Sequence, residues 1–450
     1  MIKYLRSVRH PAALLFFGTW IAYGLLINSA NLRAYTLQQR GVESLVERGT
    51  FALPGAGGDV VKVGDQYFAN KQPAQFTLGA AVYWMLHRFG LSYAKDYDLA
   101  SALVTWLSSS SMCALSVALI FLVLHDLWGL SKLAAIAAAL SYGFASTAFA
   151  YSGVAHHDII GVAVLGAGFY CLERLLRAGT AGKRRLAVLA GALVTLTSFA
   201  SLLGAFSVGL VASYGFFRLP ARHKPAFAVG LALGCIPFGV YNHWLFGNPL
   251  TTAVHVQGLA GHFTRLQPEA FAANLHNLFL FGEPSVLKYN TTMIFGVLGL
   301  FLLPGLRKQT WLIGCIVLLQ ALFIANTRDC TWAGGNCQYG ARYLLPCYFW
   351  ASFGIAGIAE RRGSHPILAL HTLLAWIYAS LVNLLGALRG SMYCGAAYVP
   401  AIYLRDLFSK APPEYPLLAP LSLSVLAGVG LVVLRHGWKR VANRGTHEAP

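Results

Sequence analysis

Twelve apolar runs, at about 12–29, 99–124, 132–149, 157–174, 186–199, 201–217, 225–246, 290–304, 310–326, 343–359, 367–386 and 417–434, dominate this chain. No water-soluble core of 450 residues has room for all of them. Hydrophobic residues fill 57% of positions and charged ones only 11%, with a mean hydropathy of +0.58, so lipid is the expected solvent. The expected fold class is an all-α polytopic membrane protein of about 12 transmembrane helices, forming one domain over residues 1–450. The 186–217 stretch is nearly continuous, and dividing it around Ser198 and Ser201 rests on loop charge; one long tilted helix is the alternative.

With that division the loops alternate in charge. Lys3, Arg6 and Arg9 precede the first run, and Lys183, Arg184, Arg185, Arg218, Arg222, Lys224, Arg307, Lys308, Arg361, Arg362 and the Arg435–Arg444 tail follow on the same side. The formal net charge of +18 then divides as +16 against +2. The positive-inside rule puts both termini in the cytoplasm. The high positive charge is therefore a topology signal, and no nucleic-acid partner is expected. The first run lacks an Ala-x-Ala cleavage site and reads as a retained anchor. No Gly-rich Lys-Ser/Thr phosphate loop is present.

The outer loops are 30–98, 247–289, 327–342 and 387–416. The first opens with an amphipathic stretch, Asn31 to Arg48, expected to lie as an interfacial helix, and residues 75–88 are too short to cross comfortably and read as a second. Five of the eight cysteines lie in apolar runs. Cys330 and Cys337 are outward, and in an oxidising compartment their spacing suits a disulfide that braces the loop between them.

Polar residues costly to place at a membrane boundary mark the candidate site. In Trp332-Ala333-Gly334-Gly335-Asn336-Cys337-Gln338-Tyr339-Gly340-Ala341-Arg342-Tyr343, aromatic residues suit the interface and Arg342 sits at the height of a lipid phosphate, which a guanidinium can grip through paired hydrogen bonds. A snorkelling arginine in an aromatic belt is the plainer reading. His156-His157-Asp158 opens the fourth run; His157 can exchange protons and Asp158 can orient it, or Asp158 can simply cap the helix. Lys71 and Lys288 are further phosphate-facing candidates, with a solvated loop lysine and an interface anchor as their alternatives. Glu43 and Glu47 share one helical face, a pattern that also describes a wet surface. No cluster has strong metal-ligand spacing; no metal is assigned, although a divalent cation is compatible with the chemistry.

Taken together, Leu45-Val46-Glu47-Arg48-Gly49-Thr50, Gly64-Asp65-Gln66-Tyr67-Phe68-Ala69-Asn70-Lys71-Gln72-Pro73, Tyr151-Ser152 with His157, and Tyr241-Asn242-His243-Trp244-Leu245-Phe246-Gly247-Asn248-Pro249 resemble the C-type membrane glycosyltransferases, in particular the superfamily of dolichyl-phosphate-mannose-protein mannosyltransferases and bacterial aminoarabinose transferases. The resemblance implies a GT-C-like fold with extracytoplasmic interfacial helices. It also implies transfer of a sugar from a polyprenyl-phosphate donor to a lipid or glycan acceptor, with inversion, on the periplasmic face of a bacterial inner membrane. Loops 247–289 and 327–342 would contribute to the active site.

Better-known members carry acids where this chain has Asn31 and Asn70, neither of which can act as a conventional base. The base is therefore expected at Glu43, Glu47, Asp59 or Asp158, unless the donor chemistry differs; Asp158 with His157 is the first choice and Glu43 the second. Lys71, Arg342 and Lys288 are assigned to the donor phosphate, and Asn31, Asn70, Trp332, Tyr339 and Tyr343 to substrate binding. A glycolipid transporter or flippase, and a non-catalytic subunit of an envelope-polysaccharide complex, are the other classes compatible with the pattern.

Overall fold

The computed structural model describes residues 10–177, 183–257, 268–326, 338–392, 399–409 and 418–428. Helix α1 (Pro11–Leu26) starts with proline in its first turn, where the missing N–H costs nothing. The amphipathic stretch after it folds as two helices, α2 (Ser29–Ala34) and α3 (Thr36–Glu47), broken at Tyr35. The first outer loop then departs from the all-helical expectation. Val60–Val63 (β1) pairs antiparallel with Gln66–Ala69 (β2), Val60 opposite Ala69. Gly64, with φ of +58°, supplies the left-handed residue of its two-residue turn. Tyr67, Phe68 and Ala69 thus lie in the second strand, and the chain leaves the hairpin at Asn70 and Lys71 for α4 (Ala74–Arg88).

The remaining long elements are α5 (Tyr97–Leu127), α6 (Lys132–Phe144), α7 (Thr147–Tyr151), α8 (His157–Arg177), α9 (Lys183–Ala200), α10 (Ala205–Arg218), α11 (Lys224–Phe246), α12 (Thr291–Leu300), α13 (Arg307–Ala325), α14 (Leu345–Glu360), α15 (Pro366–Arg389), α16 (Val399–Ser409) and α17 (Ala419–Gly428). Each of the twelve apolar runs thus contains a helix. The 186–217 stretch is two helices, separated by a 3-10 turn at Leu202–Gly204.

Among the described residues five helices are long and apolar enough to cross a membrane: Tyr97–Leu127, His157–Arg177, Ala221–Phe246, Arg307–Ala325 and Pro366–Arg389. In the third and fifth only 28% of the apolar window is buried by protein, and side chains such as Ile367 are 73% exposed. An apolar surface of this extent needs lipid as its cover. The chain is a multi-pass membrane protein.

Small residues bring the helices together, as expected where lipid removes most of the hydrophobic gain from association. Gly354 on α14 lies so close to α12 that an added Cβ would fall 1.8 Å from the Gly296 carbonyl oxygen. Around this frame α8 packs on α5 and α9, α14 on α6 and α12, and α9 on α11. The start of α8, the α9–α10 break and the segment entering α14 meet at one end of the bundle.

Candidate active site

At that end lies a cavity of about 250 Å³, lined by Asn70, Lys71, Gln72, His157, Asp158, Leu202, Leu203, Thr252, Val254, His255, Phe323, Arg342 and Tyr343. Its walls come from the hairpin exit, the first turn of α8, the α9–α10 break, the short helix Ala253–Val256, the end of α13 and the 3-10 turn Arg342–Leu344.

Asp158 is buried in the first turn of α8. Ser201, which caps the 3-10 turn between α9 and α10 by accepting from the Leu203 N–H at 3.2 Å, donates its hydroxyl to Asp158 Oδ1 at 2.5 Å. The helix break therefore fixes the carboxylate. Gly161, one turn further on, allows the approach, since a Cβ there would sit 2.9 Å from Ser201 Cβ. Asp158 Oδ2 and His157 Nδ1 have no hydrogen-bond partner among the described residues. Neither acts as a cap for α8; instead the Asp158 N–H donates to His156 Nδ1 at 3.3 Å.

His156 links the carboxylate to a cation. Arg342 is buried, its guanidinium 3.4 Å from His156 Nε2 and stacked over the Tyr343 ring at 4.9 Å. Guanidinium and the Asp158 N–H can only donate, and a neutral ring has a single acceptor nitrogen, so His156 accepts from one of them at a time; its Nδ1 also lies 3.8 Å from Asp158 Oδ2. Burial holds the His156 imidazole neutral well below its ordinary titration range, outweighing the nearby Asp158 carboxylate, and Arg342 adds to the effect. His157 stacks on His156 at 5.0 Å between centroids and places Nε2 3.4 Å from Asp158 Oδ1.

Lys71 faces Arg342 across the cavity and pairs with Asp59 at 3.3 Å. Burial pulls the Lys71 ammonium below its ordinary value, only partly offset by Asp59, and the positive charge of Arg342 pushes the same way. Burial alone would raise Asp59, but Lys71 outweighs it and holds the carboxyl below its usual range. Asp59 adopts a left-handed backbone, φ 61°, which is uncommon for a residue with a side chain. Asn70 holds it there, donating its backbone N–H to the Asp59 carbonyl at 2.9 Å and its side chain to Gln257 at 3.0 Å. Gln257 donates in turn to the Val60 carbonyl at 2.9 Å, tying the first outer loop to the second.

No family model matches this sequence, and no curated protein matches it. Among solved structures, the backbone resembles the oligosaccharyltransferase of Archaeoglobus fulgidus in complex with Zn and sulfate, with a TM-score of 0.52 and 15% identity over 88% of this chain and 56% of that one. It equally resembles ArnT from Cupriavidus metallidurans bound to undecaprenyl phosphate, with a TM-score of 0.52 and 12% identity over 91% of this chain and 74% of that one. The chain has the C-type glycosyltransferase fold. It spans a little over half the length of the archaeal enzyme.

Within this C-type fold the cavity gathers Lys71, Asn70, His157, Asp158, Arg342 and Tyr343 from the residues singled out in the sequence. Others lie elsewhere. Asn31 is buried and accepts from the Ser391 N–H at 2.8 Å, pinning α2 to the end of α15. Tyr339 is fully buried and donates its hydroxyl to the Val382 carbonyl, so it packs the bundle rather than shaping an entrance. Lys288 donates to the Phe281 carbonyl at 3.0 Å, away from the cavity walls. Glu43 stands beside Glu47, Arg40 and Arg48 on α3; partial burial and Glu47 raise its carboxyl, but it does not line the cavity. Trp332, Cys330 and Cys337 lie outside the described residues.

His255 and Thr252 line the cavity without having been singled out in the sequence, and Ser201, noted there only as a helix boundary, holds a cavity residue. The helix break at Ser201 and the position of Thr252 just after Asn248-Pro249 were the available signals.

His156, His157 and Asp158 also offer ligand atoms within 4.8 Å of one another. Imidazole and carboxylate suit a divalent ion by type, with His157 Nδ1 and Asp158 Oδ2 as the two open donors.

Proposed function

We propose that this chain is an integral-membrane glycosyltransferase that moves a sugar from a polyprenyl-phosphate donor to a lipid or glycan acceptor outside the cytoplasm, with inversion at the anomeric carbon. The observation that carries this reading is the placement of two cations, Lys71 and Arg342, in one cavity with the open oxygen of Asp158, although the three residues are far apart in sequence.

The charges match the reaction. Lys71 and Arg342 bind the donor phosphate and stabilise the negative charge that grows on it as the anomeric C–O bond breaks. Asp158 Oδ2 takes the proton of the acceptor hydroxyl as that oxygen bonds to the anomeric carbon, and the lipid phosphate leaves. A single displacement of this kind inverts the centre. His157 orients Asp158, and Ser201 holds its other oxygen in place. Leu202, Leu203 and Phe323 provide an apolar wall for the first carbons of the lipid. A divalent cation, when bound, would be held by His157 and Asp158 and would supply further charge neutralisation at the phosphate.

The alternation of loop charge supports about twelve crossings, with both termini in the cytoplasm and this cavity on the outer face of a bacterial inner membrane. The test is turnover of a labelled polyprenyl-phosphate sugar by purified protein in liposomes. Release of polyprenyl phosphate that depends on acceptor, and is lost in Arg342→Ala with the protein still folded, supports transfer; acceptor-independent movement of intact donor across the bilayer overturns it in favour of a flippase.

A further inference from the structure

The opposite end of the bundle holds a second, larger cavity. Its volume is about 550 Å³, and Leu133 and Leu140 on α6, Ile358 on α14, and Leu373 and Trp376 on α15 form its walls, with Arg362 at the edge. Helix α14 begins just after Arg342 and ends beside this cavity, so the two sites are separated by about 20 Å of helix at 1.5 Å per residue.

The lining is almost entirely carbon. A water there would have few partners, and an empty space of this size would forfeit the dispersion contacts of its walls. Leu133, Leu370 and Leu373 are each more than half exposed, so the cavity opens sideways onto the apolar outer surface of the helices. Its charged rim has one dominant sign. Arg361 and Arg362 follow α14, and Lys132 starts α6 immediately before Leu133. The neighbouring acid, Glu360, is already engaged, accepting from the Ser131 N–H at 3.1 Å and its hydroxyl at 2.6 Å.

We propose that this cavity binds one acyl chain of a membrane phospholipid whose anionic headgroup rests on Arg362 and Lys132. The apolar volume sets the chain, the side opening gives it a route from the bilayer, and the basic rim selects headgroup charge. The site binds lipid whether or not the polar cavity transfers sugar.

The test uses the full chain reconstituted in nanodiscs of phosphatidylglycerol and phosphatidylethanolamine, then exchanged into mild detergent, with retained lipid identified by native mass spectrometry. About one phospholipid per chain, enriched in phosphatidylglycerol, is expected. Arg362→Ala should cut that preference about fivefold, the equivalent of about 1 kcal/mol for one basic residue at a membrane surface. Ala137→Trp, or Thr372→Phe on the facing helix, fills the cavity and should release the lipid while thermal midpoint and elution volume stay unchanged. Chains with brominated acyl tails should quench a fluorescence component that Trp376→Phe removes. Lipid retention unmoved by the filling variants, a headgroup preference unmoved by Arg362→Ala, or a filling variant that splits a dimer would overturn the proposal, the last by showing that a second copy occupies the groove.

Discussion

Helix α8 carries a buried acid near each end, and the two are held in opposite ways. Glu173 has both oxygens engaged: Trp128 donates to Oε2 at 2.8 Å, Tyr214 to Oε1 at 2.7 Å, and Arg177 pairs with it one turn on. Asp158 has one oxygen held by Ser201 and the other without a hydrogen-bond partner among the described residues, at a cavity that Lys71 and Arg342 also line. Burial is equal, so burial does not separate structural from reactive carboxylates. The unfilled acceptor sets Asp158 apart from Glu173 and agrees with the role proposed for it, since an acceptor left open in a buried site costs stability that a purely structural role would not require.

Four experiments can break or sharpen this contrast. The largest effect belongs to Asp158→Asn, which keeps shape but removes the proposed base; transfer should fall by about a thousandfold with the thermal midpoint nearly unchanged. Near-normal turnover would move the base elsewhere, with Asp59 the first place to look. Glu173→Ala should behave in reverse, losing about 3 kcal/mol of stability because the paired Arg177 loses its partner, while activity per folded molecule is kept; this is read from a denaturation curve beside a turnover assay. Ser201→Ala should lower kcat by about tenfold and stability by about 1 kcal/mol, and Ser201→Thr should restore most of both. A stability loss without a change in kcat would make Ser201 purely a cap.

The smallest effect concerns pH. A lysine whose ammonium is disfavoured by burial loses its proton at lower pH than usual, so donor binding should weaken as pH rises through a point below the ordinary lysine range. The sign follows from the direction of the shift: the charged, phosphate-binding form is fully present only below the lowered value. In kcat/KM profiles Lys71→Arg should remove this alkaline limb.

Helix positions were legible in the sequence because a long apolar run in lipid has little choice but to satisfy its backbone internally. The break in the 186–217 stretch was legible from loop charge alone. The hairpin was missed although Val60 to Ala69 carries a Gly64-Asp65 turn between short β-prone runs, since helices were assigned only to 31–48 and 75–88 and the four-residue strands between them are too short to declare a period. Lys71, His157, Asp158 and Arg342 stood out because charge at a membrane boundary needs a reason. Tyr339 stood out as an interfacial aromatic and is core: Gly386, where a Cβ would come within 2.7 Å of its ring, makes room for it, and no local pattern around Tyr339 reveals a glycine on another helix. Ser201 drew attention as a boundary, but its partner is 43 residues away, which only the folded chain discloses.

The pairing of Lys71 with Asp59 has a kinetic consequence. In the proposed reaction an arriving donor, a phosphate diester with one negative charge, competes with a carboxylate that is already seated. The departing lipid is a monoester and carries more negative charge than the donor, so two cations grip the spent carrier harder than the fresh one. The return of Asp59 to Lys71 would then help evict it, so that the ion pair opposing entry also favours exit.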